Sequence, residues 1–425
     1  NNRLTDAVQS VIFQRVDNGQ YRTIGDILKD AKNSLSGGDE DNARRFTLLG
    51  DPAMHLAMPE YRVRTTHING KPFNPAQPDT LRALMPAEVQ GEVTDTLGNL
   101  LPSFNGKVYV TLFDKKQTLY TLGQDSDSPV RPFTVQRNIL FKGSATVTNG
   151  RFKVNFVVPK DINYAYGNGK FSYYAENGTP LDAAGADSEI IIGGTANLVQ
   201  DDTPPLIQVF LNTDAFVFGG ITDKNPKILV KCADDYGMNV TGTSLGHDLT
   251  AVLDGNVLET IVLNDFYESE QDNAAKGQAL YPLRNLAPGR HTLRVKGWDI
   301  ANNPGEGFTE FIVAEDGKAA LAHVLNYPNP FTTSTHFQFE HNMAGQLLDV
   351  QISIFSVSGK LVKTILHSAP TDGFRVTDIH WDGKDEYGDT LARGVYLYRV
   401  KVRGSDTTGN TTTAESDFEK LVILK

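Results

Sequence analysis

Asn326-Tyr327-Pro328-Asn329-Pro330-Phe331 is the stretch from which the rest of this chain is best read. Pro328 and Pro330 fix φ and remove backbone donors, so the segment is extended, with no helical option. Downstream, Thr335-His336-Phe337-Gln338-Phe339 alternates, and Val350, Ile352 and Ile354 alternate again before the turn Ser356-Val357-Ser358-Gly359-Lys360. Leu361 to Ile365, Ile379-His380-Trp381 and Gly394-Val395-Tyr396-Leu397-Tyr398-Arg399-Val400 continue the pattern, with a turn-rich run from Asp382 to Gly388 between the last two. The final apolar strand, Leu421 to Leu424, is flanked by Lys420 and Lys425, which suits a sheet edge. From 319 to 425 the pattern predicts a small all-β sandwich.

The residues Tyr327, Pro328, Asn329, Pro330 and Phe331, then Gly359 and Lys360, then Trp381 and Gly383, then Gly394 and Tyr396, carry a further message in their order. Together they resemble the C-terminal sorting domain of the type IX secretion system of Bacteroidetes. The resemblance implies that 319–425 takes the protein across the outer membrane and is recognised there by a β-barrel shuttle protein (PorV-like). It also implies residence at the cell surface.

Composition sets the outer limits. A chain of 425 residues has a length prior of roughly three domains. A mean hydropathy of -0.31 and the lack of any apolar run near the ~18 residues of a membrane span predict no membrane helix. Net charge is -11, which argues against a nucleic-acid partner, since phosphate binding draws on clustered Lys and Arg. The single cysteine, Cys232, excludes an internal disulfide and a Cys-rich zinc site.

The first 60 residues read as α/β. Leu4, Val8, Val11 and Ile12 have helical spacing, and Ile24, Ile27, Leu28 and Ala31 form a second amphipathic helix after the N-cap residue Thr23. A polar break from Ser34 to Asn42 follows, and Phe46-Thr47-Leu48-Leu49 is expected to be a short buried strand before Gly50-Asp51-Pro52. This order is similar to the end of the caspase-like domain in gingipain-type cysteine peptidases, so the chain is expected to be part of a longer protein. In that family the catalytic His and Cys precede the closing Gly-Asp-Pro turn, and no catalytic residue is carried over here.

Two immunoglobulin-like β-sandwiches are expected next, at 61–203 and 204–318, with the polar run Ala314-Glu315-Asp316-Gly317-Lys318 as the last linker. The fold class is thus mostly β, with an α/β end, two sandwiches and a terminal sorting sandwich. The second sandwich carries Asp234-Asp235-Tyr236-Gly237-Met238-Asn239 and then Gly246-His247-Asp248-Leu249-Thr250-Ala251-Val252-Leu253-Asp254-Gly255. That pattern resembles the region after the peptidase domain in the gingipain-like sortase of the type IX system.

Chemistry in these residues is sparse. Cys232 follows Ile228 and Val230 at period two, so its thiol is expected in the core rather than at a reactive site. The nine histidines form no His-x-x-x-His spacing, and His247 reads as a turn or cap residue. Asp234, Asp235 and Asn239, or Asp299 and Asn302, are oxygen donors for which calcium is the fitting ion; equally, such residues simply make β-turns. Tyr164, Tyr166, Tyr173 and Tyr174 form an aromatic group that fits a sandwich core better than a glycan platform.

The resemblance implies a parent cysteine peptidase that removes sorting domains from secreted cargo proteins and joins the cargo to anionic lipopolysaccharide. The other class of function left open is an ordinary type IX cargo, an adhesin or a gingipain-like protease with binding sandwiches.

Overall fold

A computed structural model of the chain describes residues 2–16, 21–35, 45–125, 127–178, 182–196, 198–242, 246–314, 320–343, 346–370, 373–405 and 411–424. It is mostly β. The linker expected at 314–318 lies, after Ala314, outside the described residues, as does most of the polar break at 34–42.

Two short helices open the chain, Asn2–Val11 and Ile24–Asn33. Thr23 caps the second, its side chain accepting from the Asp26 N–H at 3.1 Å. The turn at Gly50 to Met54 docks on that same end, with Ile24 N–H to Met54 O and Gly25 N–H to Pro52 O both at 2.9 Å. A Cβ on Gly25 would stand 2.7 Å from Pro52, so this approach requires glycine. Phe46 to Leu49 is not the buried strand expected from its sequence. The stretch joins no ladder, and Leu49 is 94% exposed. Apolar character makes a strand only where a neighbouring strand takes its backbone groups, and among the described residues none lies beside this one.

From 61 to 195 nine strands form one sheet, with Ile139–Val147 at one end and Arg151–Val157 at the other, while Gln117–Tyr120 and Pro132–Val135 pair separately with each other. Those two end strands are consecutive in the chain and joined through Asn149 and Gly150, both at positive φ. One continuous core takes residues from both ends, among them Leu140, Val154, Phe171 and Ile190, so the sheet folds over itself and supplies both layers.

The second sandwich has a four-stranded sheet around Lys227–Ala233 and a five-stranded sheet around Gly289–Trp298. Between them Ile207, Val209, Val230, Leu293, Val295 and Phe311 form the core. In the terminal sandwich, Leu321–Tyr327, Thr335–His341 and Arg375–Trp381 form one sheet, and Gly394–Ser405 lies within a five-stranded sheet opposite. Phe337 from the first layer meets Tyr398 from the second with ring centroids 4.9 Å apart. Among the described residues no helix is long and apolar enough to cross a membrane.

Candidate functional site

In the terminal sandwich the residues of the quoted motif converge on its final strand, Glu419–Ile423. Asn329 acts as a backbone mimic. Its Nδ2 donates to Lys420 O at 2.8 Å, and its Oδ1 accepts from the Val422 N–H at 3.0 Å. Phe331 continues the ladder, its N–H donating to Val422 O and its carbonyl accepting from Leu424 N–H. Its ring is buried against Trp381, centroids 5.7 Å apart. The Trp381 Nε1–H is satisfied by Lys384 O at 3.0 Å. Gly383 has φ +73, so the turn after the tryptophan needs a residue without Cβ. Beneath the prolines, buried Asn326 donates to Thr335 Oγ1, which donates to Pro328 O; the Tyr327–Pro328 and Asn329–Pro330 bonds are cis. Gly359, at φ +81, and Lys360 sit in an exposed turn, Gly394 opens its strand, and the Tyr396 hydroxyl donates to Ala392 O. Tyr327 is the exception, 71% exposed and used by none of this packing.

The five candidates for calcium fall into separate environments. Asp234 and Asp299 come together, joined by Asp201, with carboxylate oxygens all within 4.8 Å of one another. Sequence reasoning passed over Asp201, which precedes the second sandwich in the chain; the Asp201-Asp202-Thr203-Pro204-Pro205 boundary was the available signal. Asp234 accepts from the Tyr236 and Gly237 N–H groups, and Asp299 from Ala301 and Asn303. Burial pushes the Asp234 carboxyl up to about 6, with the negative neighbours Asp299 and Asp201 adding to it; Asp299 is raised for the same first reason. Such a set of oxygens suits a hard cation. Asp235, by contrast, lines a cleft of about 530 Å³ beside Tyr236, Phe156 and Asp272.

Asn239 and Asn302 are drawn elsewhere, to the first sandwich. Asp161, in the loop after Arg151–Val157, accepts from Asn239 Nδ2 at 2.8 Å, Asn302 Nδ2 at 2.7 Å and His247 Nδ1 at 2.6 Å. Asn239 is fully buried by this joint. The His247 ring also lies 4.4 Å from that of Trp298. Lys160 N–H to Ile300 O, and Asp272 N–H to Ser144 O, extend the contact between the two sandwiches along the backbone.

The one cysteine of the sequence is not placed as a reactive thiol. The Cys232 thiol is buried in the second core, and burial pushes it up to about 12. Of the tyrosines, Tyr173 is in the core, whereas Tyr164, Tyr166 and Tyr174 are exposed.

Residues 1–57 match the family model described as peptidase family C25, and residues 326–406 match that of the FlgD Ig-like domain. No curated protein matches the chain. Among solved structures, dimeric latent PorU from Porphyromonas gingivalis is 30% identical over 97% of this chain and 39% of that one, with a TM-score of 0.39. Chicken CNTN1 FN1–FN3 domains are 11% identical over 86% of this chain and 99% of that one, with a TM-score of 0.18. The chain therefore spans about two-fifths of the length of the PorU structure it matches. Taken with the family segments at its two ends, it is similar to a PorU C-terminal region.

Proposed function

We propose that this chain is the non-catalytic C-terminal part of a cell-surface cysteine peptidase that works as the sortase of a type IX secretion system. The observation that carries the reading is the order of parts in one chain: a C25 segment at 1–57, two sandwiches bound to each other through Asp161, and a terminal Ig-like domain. In this reading the paired sandwiches hold the peptidase domain at a fixed distance from the terminal sandwich, and that sandwich tethers the protein to an outer-membrane shuttle barrel.

The chemistry of the parent is acyl transfer. A thiolate in the peptidase domain attacks the cargo carbonyl before its sorting domain; the C–S bond forms as the C–N bond breaks, and the departing amine takes a proton. An amine on anionic lipopolysaccharide then attacks the thioester, restoring an amide and releasing the thiol. The residues of this chain contribute position rather than bond-making, consistent with the buried Cys232.

Mass spectrometry of the surface-extracted protein tests the reading. A mature protein that still contains residues 326–425 is expected of a sortase that keeps its tether. Cleavage near Gly317 would overturn it in favour of an ordinary cargo protein. Deleting 326–425 is expected to leave the sandwiches folded and to release the protein from the outer membrane.

A further inference from the structure

On the outer face of the terminal sandwich, His336 and His380 stand directly opposite each other on paired antiparallel strands. Their rings lie 5.1 Å apart at 66°. Among the described residues this is the one cross-strand pair of histidines. Directly paired residues on an antiparallel sheet share a face and bring their Cβ atoms to about 5 Å. Tyr327, the motif side chain that the core does not use, pairs with His336 on the other side, so a tyrosine and two histidines form a row across three strands.

The strand carrying His380 is irregular at this point. Between Phe337↔Ile379 and Phe339↔Val376 it has one extra residue, a β-bulge, and Asp378 within it has φ +72. A non-glycine residue in that conformation is held there by its surroundings, and bulges often redirect a side chain. Here the bulge brings the Asp378 carboxylate into ion-pair contact with His336 Nδ1, a nitrogen shielded from solvent that makes no hydrogen bond of good geometry. The His336 side chain as a whole stays 42% exposed.

We propose that His336 and His380 form a binding site for a divalent transition metal, with zinc as the matching ion. Imidazole nitrogen suits zinc rather than calcium or magnesium. The Asp378 carboxylate beside His336 Nδ1 is placed to hold that nitrogen's proton in the metal-bound state, which would leave Nε2 for the metal, the outer-shell arrangement that carboxylates provide to metal-bound histidine. His380 supplies the second nitrogen. Water or a donor from a bound partner completes the coordination, since the face is open to solvent.

Isothermal titration of the full chain with zinc chloride near neutral pH tests this. One zinc with a dissociation constant in the micromolar range is expected. His336→Ala and His380→Ala should each weaken it by about tenfold or more, and Asp378→Asn by roughly 10- to 100-fold, since asparagine tolerates the same backbone conformation. His367→Ala, an exposed single histidine, should leave binding unchanged. All four positions are at the surface, so melting temperatures should stay near that of the parent. The proposal is overturned if zinc does not bind at about 100 μM, or if the double variant His336→Ala/His380→Ala binds it as tightly as the parent.

Discussion

The terminal sandwich and the second sandwich each carry a distinctive run of residues, and folding treats the two runs differently. In the terminal sandwich Asn329, Phe331, Trp381 and Gly383 are separated in the chain yet serve one task, holding the last strand to the body. In the second sandwich Asp234, Asn239, Asp299 and Asn302 are likewise spread along the chain, yet two enter a carboxylate group and two cross to Asp161 in another domain. A motif of glycine, proline and aromatic residues acts through the backbone and core of its own domain. A motif of polar side chains goes wherever its hydrogen-bond partners are.

The largest effect expected from this contrast is at Phe331. Truncation to alanine removes a ring that is 2% exposed and packs on Trp381, and burial of that kind is worth about 3–5 kcal/mol. Because the same residue pairs with the final strand, Phe331→Ala should free the last residues as well as lower stability. Chemical denaturation, read by Trp381 fluorescence, would show the loss; a cost below about 1 kcal/mol would mean that the last strand holds without its clamp.

Acid should separate the two sandwiches next. His341 in the terminal sandwich is fully buried, and burial pushes it down to about 4. Unfolded, it would titrate near 6.5, so its contribution is complete above that pH and is lost as pH falls toward 4. Between pH 7 and 4.5 the terminal sandwich should lose roughly 2–3 kcal/mol from this group. His341→Gln should flatten that limb in a urea series. An unchanged acid limb in the variant would assign the loss to other groups.

A smaller effect is expected at the joint between the first two sandwiches. Asp161→Ala leaves buried Asn239 without its partner carboxylate, at a cost of about 1–3 kcal/mol. Calorimetry should then resolve two transitions in place of one shared by both sandwiches. If the shared transition persists, the backbone contacts at Ile300 and Ser144 suffice to couple them.

Much of the architecture was legible in the residues. Alternation placed most strands of the terminal sandwich to within a few residues, as with Thr335–His341 and Leu347–Ser356. Other strands escaped, among them Tyr61–Ile68, Gly220–Thr222, Tyr267–Glu270 and Asn273–Pro282, the last because Asn273-Ala274-Ala275-Lys276-Gly277 lacks the branched residues that mark a strand. Phe46 to Leu49 misled in the opposite sense, apolar in composition but without a neighbouring strand. The joint was hidden for a different reason. Asp161 sits 78 positions from Asn239 and 141 from Asn302, and no local spacing connects them. The histidine row escaped because strand register, not sequence distance, puts His336 beside His380.

The finest test concerns Asp234, where the pH response should run opposite to that of His341. Burial raises its carboxyl to about 6, above the usual value of 3.8, so the folded state binds the proton more tightly than the unfolded chain. Stability from this group is therefore greatest in acid and falls as pH rises from about 4 through 6. Asp234 is only half-buried, and solvent screening reduces the penalty at pH 7 to about 1 kcal/mol. Asp234→Asn keeps an oxygen to accept from the Tyr236 and Gly237 N–H groups while removing the charge. At pH 7 the variant should melt about 2–4 °C higher than the parent, and at pH 4 the two should coincide. A lower melting temperature at pH 7 would reverse the sign and mean that the N–H groups of Tyr236 and Gly237, or a cation shared with Asp201 and Asp299, outweigh burial in favouring the charge.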